Sequence, residues 1–202
     1  MYIPSYYNET DESKLTEFMQ AHSFATMISS QNNNLRATHL PFVIEKRGDQ
    51  IFLVSHMAKA NPQWKEFIDY ELLIIFQGPH AYISPTHYEK KQNVPTWNYI
   101  AVHAYGKAII IDEPTAVITI LEKMIHSYEA SYIEQWKSLS DDYKNGMVKG
   151  IVTFEIEITK LEGKFKLSQN KTKNEQQTII SAFEKSNDSL QIKIAEEMKT
   201  KI

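Results

Sequence analysis

The 202-residue chain contains no cysteine. That absence excludes disulfides, thiolate nucleophiles, iron–sulfur clusters and cysteine-ligated zinc. Glycine is scarce, with six residues at Gly48, Gly78, Gly106, Gly146, Gly150 and Gly163. None falls in a G-x-G-x-x-G fingerprint or a P-loop, and there is no G-x-S-x-G elbow. A Rossmann or Walker fold is therefore not expected. No apolar run approaches membrane-spanning length. The N-terminal MYIPSYYNETDES lacks the basic and apolar regions of a signal peptide. A cytoplasmic protein with no membrane attachment is the expectation. Positive charge is also short. Lys and Arg total 22 against 25 Asp and Glu, a net charge of -3, and no recognition helix stands out. Direct DNA binding therefore has no support from charge.

The chain does have enough apolar residues for a core, at 42% hydrophobic and 11% aromatic. Leu15, Phe18, Met19 and His22 recur at helical spacing behind Thr10, Asp11 and Glu12, which predicts a helix near 11–22. FATMISS, LRATHLPFVIE and QIFLVSH, separated by polar QNNN and KRGD turns, read as a meander. ELLIIFQ reads as a strand buried on both faces, and HAYIS and TWNYIAVHAYGKAIII continue the β region. Val117, Ile120, Leu121, Met124 and Tyr128 then predict a helix over about 113–134, capped by Asp112 with Pro114 in its first turn. A short helix follows near 140–147. Val152, Phe154, Ile156 and Ile158 alternate with polar residues, as a half-buried strand does. The tail carries two apolar helical stripes, Ile179–Ile180–Phe183 and Leu190–Ile194–Met198, with a break at 186–188. The pattern is α+β, and the clustered strands favour a barrel over a layered parallel sheet.

Five histidines, at positions 39, 56, 80, 87 and 103, lie in the β region, but no tight metal-ligand spacing joins them. No metal site is expected. The stretch VPTWNYIAVHAYG, residues 94–106, has two unlike faces. Asn98, Ile100, Val102 and Ala104 make a mostly aliphatic row suited to a core. Trp97, Tyr99, His103 and Tyr105 make a flat face with polar tips, which suits either a ligand pocket or a subunit contact.

A planar anionic ligand would need a cation or helix N–H groups for its phosphate and partners for its ring edge. SHMAKANPQW supplies Ser55, His56, Lys59 and Asn61, with Asn61 placed to cap a helix that begins at Pro62 and continues through Trp64 and Phe67. ATHLPF supplies Thr38 and His39 before Pro41, which marks a strand edge or bulge. KLSQNK supplies Lys166 and Gln169. Taken singly, these segments also read as an ordinary turn, an edge strand and a solvated loop.

The segments MYIPSYY, ATHLPF, ANPQW, FQGPHAYIS, VPTWNY, AVHAYG and KLSQNK resemble the PaiB-type FMN-binding proteins known as negative transcriptional regulators. The resemblance runs from Met1 to about Lys171. It implies a split β-barrel like that of pyridoxamine 5′-phosphate oxidase, in a homodimer with FMN at the subunit interface. It also implies a domain over 1–171, with a helical insertion at about 113–149, and a helical tail over 172–202 packed on it. The cofactor residues it implies are Thr38, His39, Ser55, His56, Lys59, Asn61, Trp97, Asn98, Lys166 and Gln169. Where the family usually reads S-W-Y after I-S, this chain has Thr86, His87 and Tyr88, so a stacking role at position 87 is not carried over. The function implied is a flavin-dependent regulator or redox sensor. The alternative is an FMN-dependent oxidase or flavin reductase, and no residue declares itself a catalytic base.

Overall fold

The computed structural model describes residues 1–67 and 70–201; the last residue of the predicted tail, Ile202, lies outside them. The strands are β1 (Asn8–Glu9), β2 (Phe24–Gln31), β3 (Asn34–Pro41), β4 (Val43–Arg47), β5 (Gln50–Ala58), β6 (Leu72–Ile83), β7 (Thr96–Ile111) and β8 (Ile151–Lys166). The helices are α1 (Glu12–Ala21), α2 (Pro114–Glu129), α3 (Ile133–Ser138), α4 (Asp141–Val148), α5 (Lys173–Phe183) and α6 (Ser189–Lys199). The strand order is β3-β2-β6-β7-β8-β5-β4, with β1 paired to β8.

That order explains the architecture. β3 and β4 stand at the two ends of the sheet order, yet only Phe42 separates them in the chain. A sheet whose two edges are joined by one residue must curl round on itself. Two bonds hold the seam. Phe42 N–H donates to the Ser23 carbonyl at 2.9 Å, and the Ser55 hydroxyl on β5 donates to the Pro41 carbonyl at 2.7 Å. The single strand expected at LRATHLPFVIE is thus broken at Phe42, whose buried ring packs 6.1 Å from that of Phe76.

Other differences from the expectation have local causes. ELLIIFQ and HAYIS are one strand, β6, passing through Pro79. The β2–β6 register covers Leu73 to Ile75, so Pro79 lies past it and interrupts none of its bonds. Helix α2 is capped by Glu113, not Asp112. Its carboxylate accepts from Thr115 N at 3.0 Å and Ala116 N at 2.7 Å. The cap falls one residue later than expected because Pro114 occupies the first helical position. The residue before a proline is held extended, which is the capping conformation. The helix also stops at Glu129, whose φ of -154° leaves the helical region, and α3 follows a short 3₁₀ turn.

The chain forms two compact units. One comprises 19–76 and 103–161; its core holds Met27, Leu53, Ile74, Phe76, Phe154 and Ile156, all fully buried. Each such side chain contributes about 1.5–3 kcal/mol through burial. The other comprises 1–18, 77–102 and 162–202, and packs Ile100, Leu167, Ile179, Ile180, Ile194 and Met198. Helix α5 starts from a capping box, Thr172 with Glu175, and α6 from Asp188 at the expected break. No helix among the described residues is long and apolar enough to cross a membrane.

Candidate functional site

In the unit containing β2 to β5, the predicted phosphate-side segment leaves β5 and enters only a 3₁₀ turn over Pro62–Glu66, where a helix through Phe67 was expected. Asn61 caps that turn, its side-chain oxygen accepting from Gln63 N at 3.0 Å. Its amide donates to the Thr38 hydroxyl at 2.9 Å, and Thr38 donates to Gln63 at 2.5 Å. Beneath them Gln63 donates to Ser29 at 3.1 Å, Ser29 bonds to Glu66, and Glu66 pairs with Arg36 at 2.5 Å. This buried polar chain ties the turn to β2 and β3, so Thr38 and Asn61 are held in place by side chains that are themselves satisfied.

Lys59 stands at the exposed rim of the same segment. Its backbone N–H donates to the Gly150 carbonyl at 2.9 Å, and its carbonyl accepts from the Trp64 indole at 3.1 Å. Its ammonium has no carboxylate partner among the described residues. A cleft of about 290 Å³ opens beside it, lined by Trp64, Ile110, Val117, Val148 and Ile151. His39 is exposed, with Thr26 at 2.9 Å and the Phe24 ring stacked at 6.3 Å. Ser55 is fully buried in the barrel seam described above.

His56 packs under α2, with Nδ1 3.2 Å from the Met124 sulfur. Burial pushes its pKa below 6.5. The folded ring therefore resists a proton that the unfolded ring takes up readily. Stability from this residue is complete above pH 6.5 and is lost as the pH falls through that value toward the folded pKa. Thermal midpoints measured between pH 8 and pH 5 should fall more steeply for wild type than for His56→Gln. Parallel curves would remove His56 from this role.

In the unit containing the β7 start and the tail, the two faces of residues 94–106 separate as the alternation predicts. Asn98, Ile100 and Val102 are fully buried, while Trp97 is 51% exposed. The exposed indole lies 6.0 Å from His80 and 6.0 Å from Tyr82, both on β6. His80 Nδ1 is buried and has no hydrogen-bond partner among the described residues. Asn98 is directed inward. Its amide donates to the Ser168 hydroxyl at 2.9 Å and its oxygen accepts from that hydroxyl at 3.1 Å. Ser168 has a φ of 64°, a left-handed conformation that a non-glycine residue adopts only when held there. Gln176 of α5 supplies the second hold, donating to the Ser168 carbonyl at 3.0 Å. Gln169 folds back onto its own strand end, accepting from Leu167 N at 2.7 Å and donating to the Phe165 carbonyl at 2.5 Å. Lys166 bonds to the Thr96 hydroxyl.

The ten predicted residues thus divide by unit. Thr38, His39, Ser55, His56, Lys59 and Asn61 belong to one, and Trp97, Asn98, Lys166 and Gln169 to the other. Ser55, Asn98 and Gln169 hydrogen-bond to the protein's own groups, whereas Lys59 and Trp97 face outward. Among the described residues, no group of three or more His, Asp or Glu is gathered to hold a metal ion.

Residues 1–160 match the family model described as "Putative FMN-binding domain". The chain is 36% identical over 205 residues to protease synthase and sporulation protein PAI 2 of Bacillus subtilis, covering 100% of this chain and 98% of that one. The chain belongs to the PaiB-type FMN-binding family. An uncharacterized Emericella nidulans protein is 31% identical over 228 residues, covering 91% and 90% of the two chains. Among solved structures, the flavocytochrome Anf3 from Azotobacter vinelandii superposes with a TM-score of 0.64 at 13% identity, over 81% of this chain and 72% of that one. The FAD and heme binding protein from Mycobacterium smegmatis gives 0.61 at 11%, over 79% and 73%. These likenesses establish the fold as the α+β split barrel.

FMN is the cofactor of this PaiB-type chain, and its residues suit that group. Lys59 offers a cation that no carboxylate among the described residues neutralises. In the other unit, the exposed indole of Trp97 beside Tyr82 offers a flat aromatic surface. When bound, FMN supplies the redox chemistry. His80 and Tyr82 were not among the predicted residues. Both lie in FQGPHAYIS, one of the segments that carry the resemblance, and the placement of β6 beside β7 puts them next to Trp97.

Proposed function

We propose that this protein is a cytoplasmic, homodimeric flavin-dependent regulator, in which bound FMN acts as a ligand or redox sensor. The observation that carries the reading is the aromatic group around Trp97. An indole 51% exposed beside Tyr82, itself 46% exposed, is costly to leave in water and suits a surface that a second subunit covers. The FMN phosphate is received at Lys59, where the ammonium is uncompensated and Asn61 and Thr38 are held firm. The regulatory role is carried over from PAI 2, whose name links it to protease synthesis and sporulation.

Adding FMN to the purified protein should produce bound-flavin bands and raise the thermal midpoint. At a hundredfold excess over Kd the stabilisation is about 2.7 kcal/mol, which is roughly 5–10 °C for a chain of this size. Sedimentation should give a dimer. No spectral change and no thermal shift at saturating FMN would end the flavin reading. NADH or NADPH oxidation faster than with free FMN would move the assignment to the oxidoreductase class.

A further inference from the structure

Lys164 and Lys166 lie two residues apart on β8 and so share one face of the strand. The Lys166 ammonium, besides its bond to Thr96, lies 5.9 Å from the Tyr7 ring. Lys164 lies 5.3 Å from the Tyr99 ring and donates to the Tyr2 carbonyl at 3.0 Å. Lys171 sits 3.7 Å over the Tyr88 ring and donates to Asn93 at 3.0 Å. Tyr7 donates to Asn170 at 3.0 Å. All these residues belong to the same compact unit.

The lysines of this group differ from many others in the chain. Lys14, Lys123, Lys137, Lys199 and Lys201 each pair with a carboxylate. Lys164, Lys166 and Lys171 have no such partner among the described residues, and their contacts are to neutral oxygens and aromatic rings. The carboxylate that acts on Tyr88 is Glu175. It is engaged in the α5 cap, accepting from Thr172 N and Glu89 N at 3.2 Å each. Burial, with the neighbouring charge of Lys164, holds the Lys166 pKa below its ordinary value. Two cations held together with no counter-charge are a standing cost that an anion would offset. A donor for an anion is also present. The Tyr7 proton is already given to Asn170, which leaves the Tyr88 phenol, whose pKa burial raises. The Tyr88 hydroxyl, in a residue only 8% exposed, has no hydrogen-bond partner among the described residues.

We propose that this lysine–tyrosine group binds the carboxylate or phosphate of a small molecule other than the flavin. The inference rests on the reading that Lys59 receives the FMN phosphate, which leaves the second set of cations for a second anion. Such a molecule would be the effector of a sensor.

Calorimetric titration of the FMN-loaded protein with inorganic phosphate and, separately, benzoate tests the proposal and tells the two anion types apart. At least one should bind with a Kd of about a millimolar or tighter. Lys164→Gln should weaken it by about tenfold or more and leave FMN affinity unchanged, and Lys59→Ala should leave anion binding intact. Lys171→Met serves as a second variant should Lys164→Gln not fold. No binding of either anion, or binding indifferent to both substitutions, overturns the proposal. Loss of FMN affinity with riboflavin unaffected in Lys164→Gln also overturns it, because the group would then hold the cofactor's own phosphate. The same titration on flavin-free protein separates the two failures, since anion binding there stands even where no flavin is taken up.

Discussion

Gly106→Ala lowers stability by about 3 kcal/mol, the upper end of the usual cost of overpacking. Gly106 lies on the buried face of β7. A Cβ built there would stand 2.3 Å from the Glu157 carbonyl oxygen and 2.7 Å from a methyl of Ile156. The first obstacle is backbone of β8, which is paired on its other side to β5 through Phe52↔Glu157 and Leu53↔Ile156. It cannot rotate away as a side chain could. Relief requires β7 and β8 to part, which would cost ladder bonds in the barrel wall. For a chain of this size the midpoint should drop by roughly 6–12 °C. Gly146→Ala is the control. It lies in α4 with nothing within 4 Å of its Cβ, so alanine should raise stability by up to about 1 kcal/mol through helix propensity. Urea denaturation of both variants checks the pair. A Gly106→Ala protein as stable as wild type would mean that the strands are not so close.

Lys59→Ala weakens FMN by about 10- to 100-fold and leaves riboflavin almost unchanged. A charge-assisted hydrogen bond contributes about 1.5–3 kcal/mol, and each 1.4 kcal/mol is about a tenfold change in Kd. Riboflavin lacks the phosphate and so has no stake in the ammonium. Because Lys59 is exposed, wild-type affinity for FMN should also fall with added salt, and the variant should show a flatter dependence. Flavin fluorescence titrations of both ligands at two salt concentrations measure all four quantities. Equal loss of FMN and riboflavin would remove Lys59 from the phosphate role and point to a general disturbance of the turn that Asn61 caps.

Much of the architecture was legible because it depends on periodicity. The stripes of α2 and the tail, the Asn61 cap before Pro62, and the buried Ile100–Val102–Ala104 row are set by neighbours close in sequence. The misplaced features are those where two local rules compete. Asp112 and Glu113 can both cap, and the proline that follows selects Glu113. Glycine–proline at 78–79 is a turn signal, yet the strand runs through it. The segments that carry the candidate residues were legible, but what each side chain touches was not. The resemblance implies Asn98 as a cofactor residue. Its alternation nonetheless puts it on the core face, where Ser168 and Gln176 complete a buried network.

By itself, then, the sequence determined the absence of thiol chemistry, the α+β class, the family and the segments that bear polar residues. Those follow from composition, short-range spacing and motif. Only the tertiary structure decided which polar groups are satisfied internally and which remain outward: Ser55 in the seam, Gln169 on its own strand, Lys59 and Trp97 exposed, and the His80 Nδ1 and Tyr88 hydroxyl buried with no hydrogen-bond partner among the described residues. A hydrogen bond is made or missed according to positions brought together across the sheet from far apart in the chain, and no local pattern carries that information.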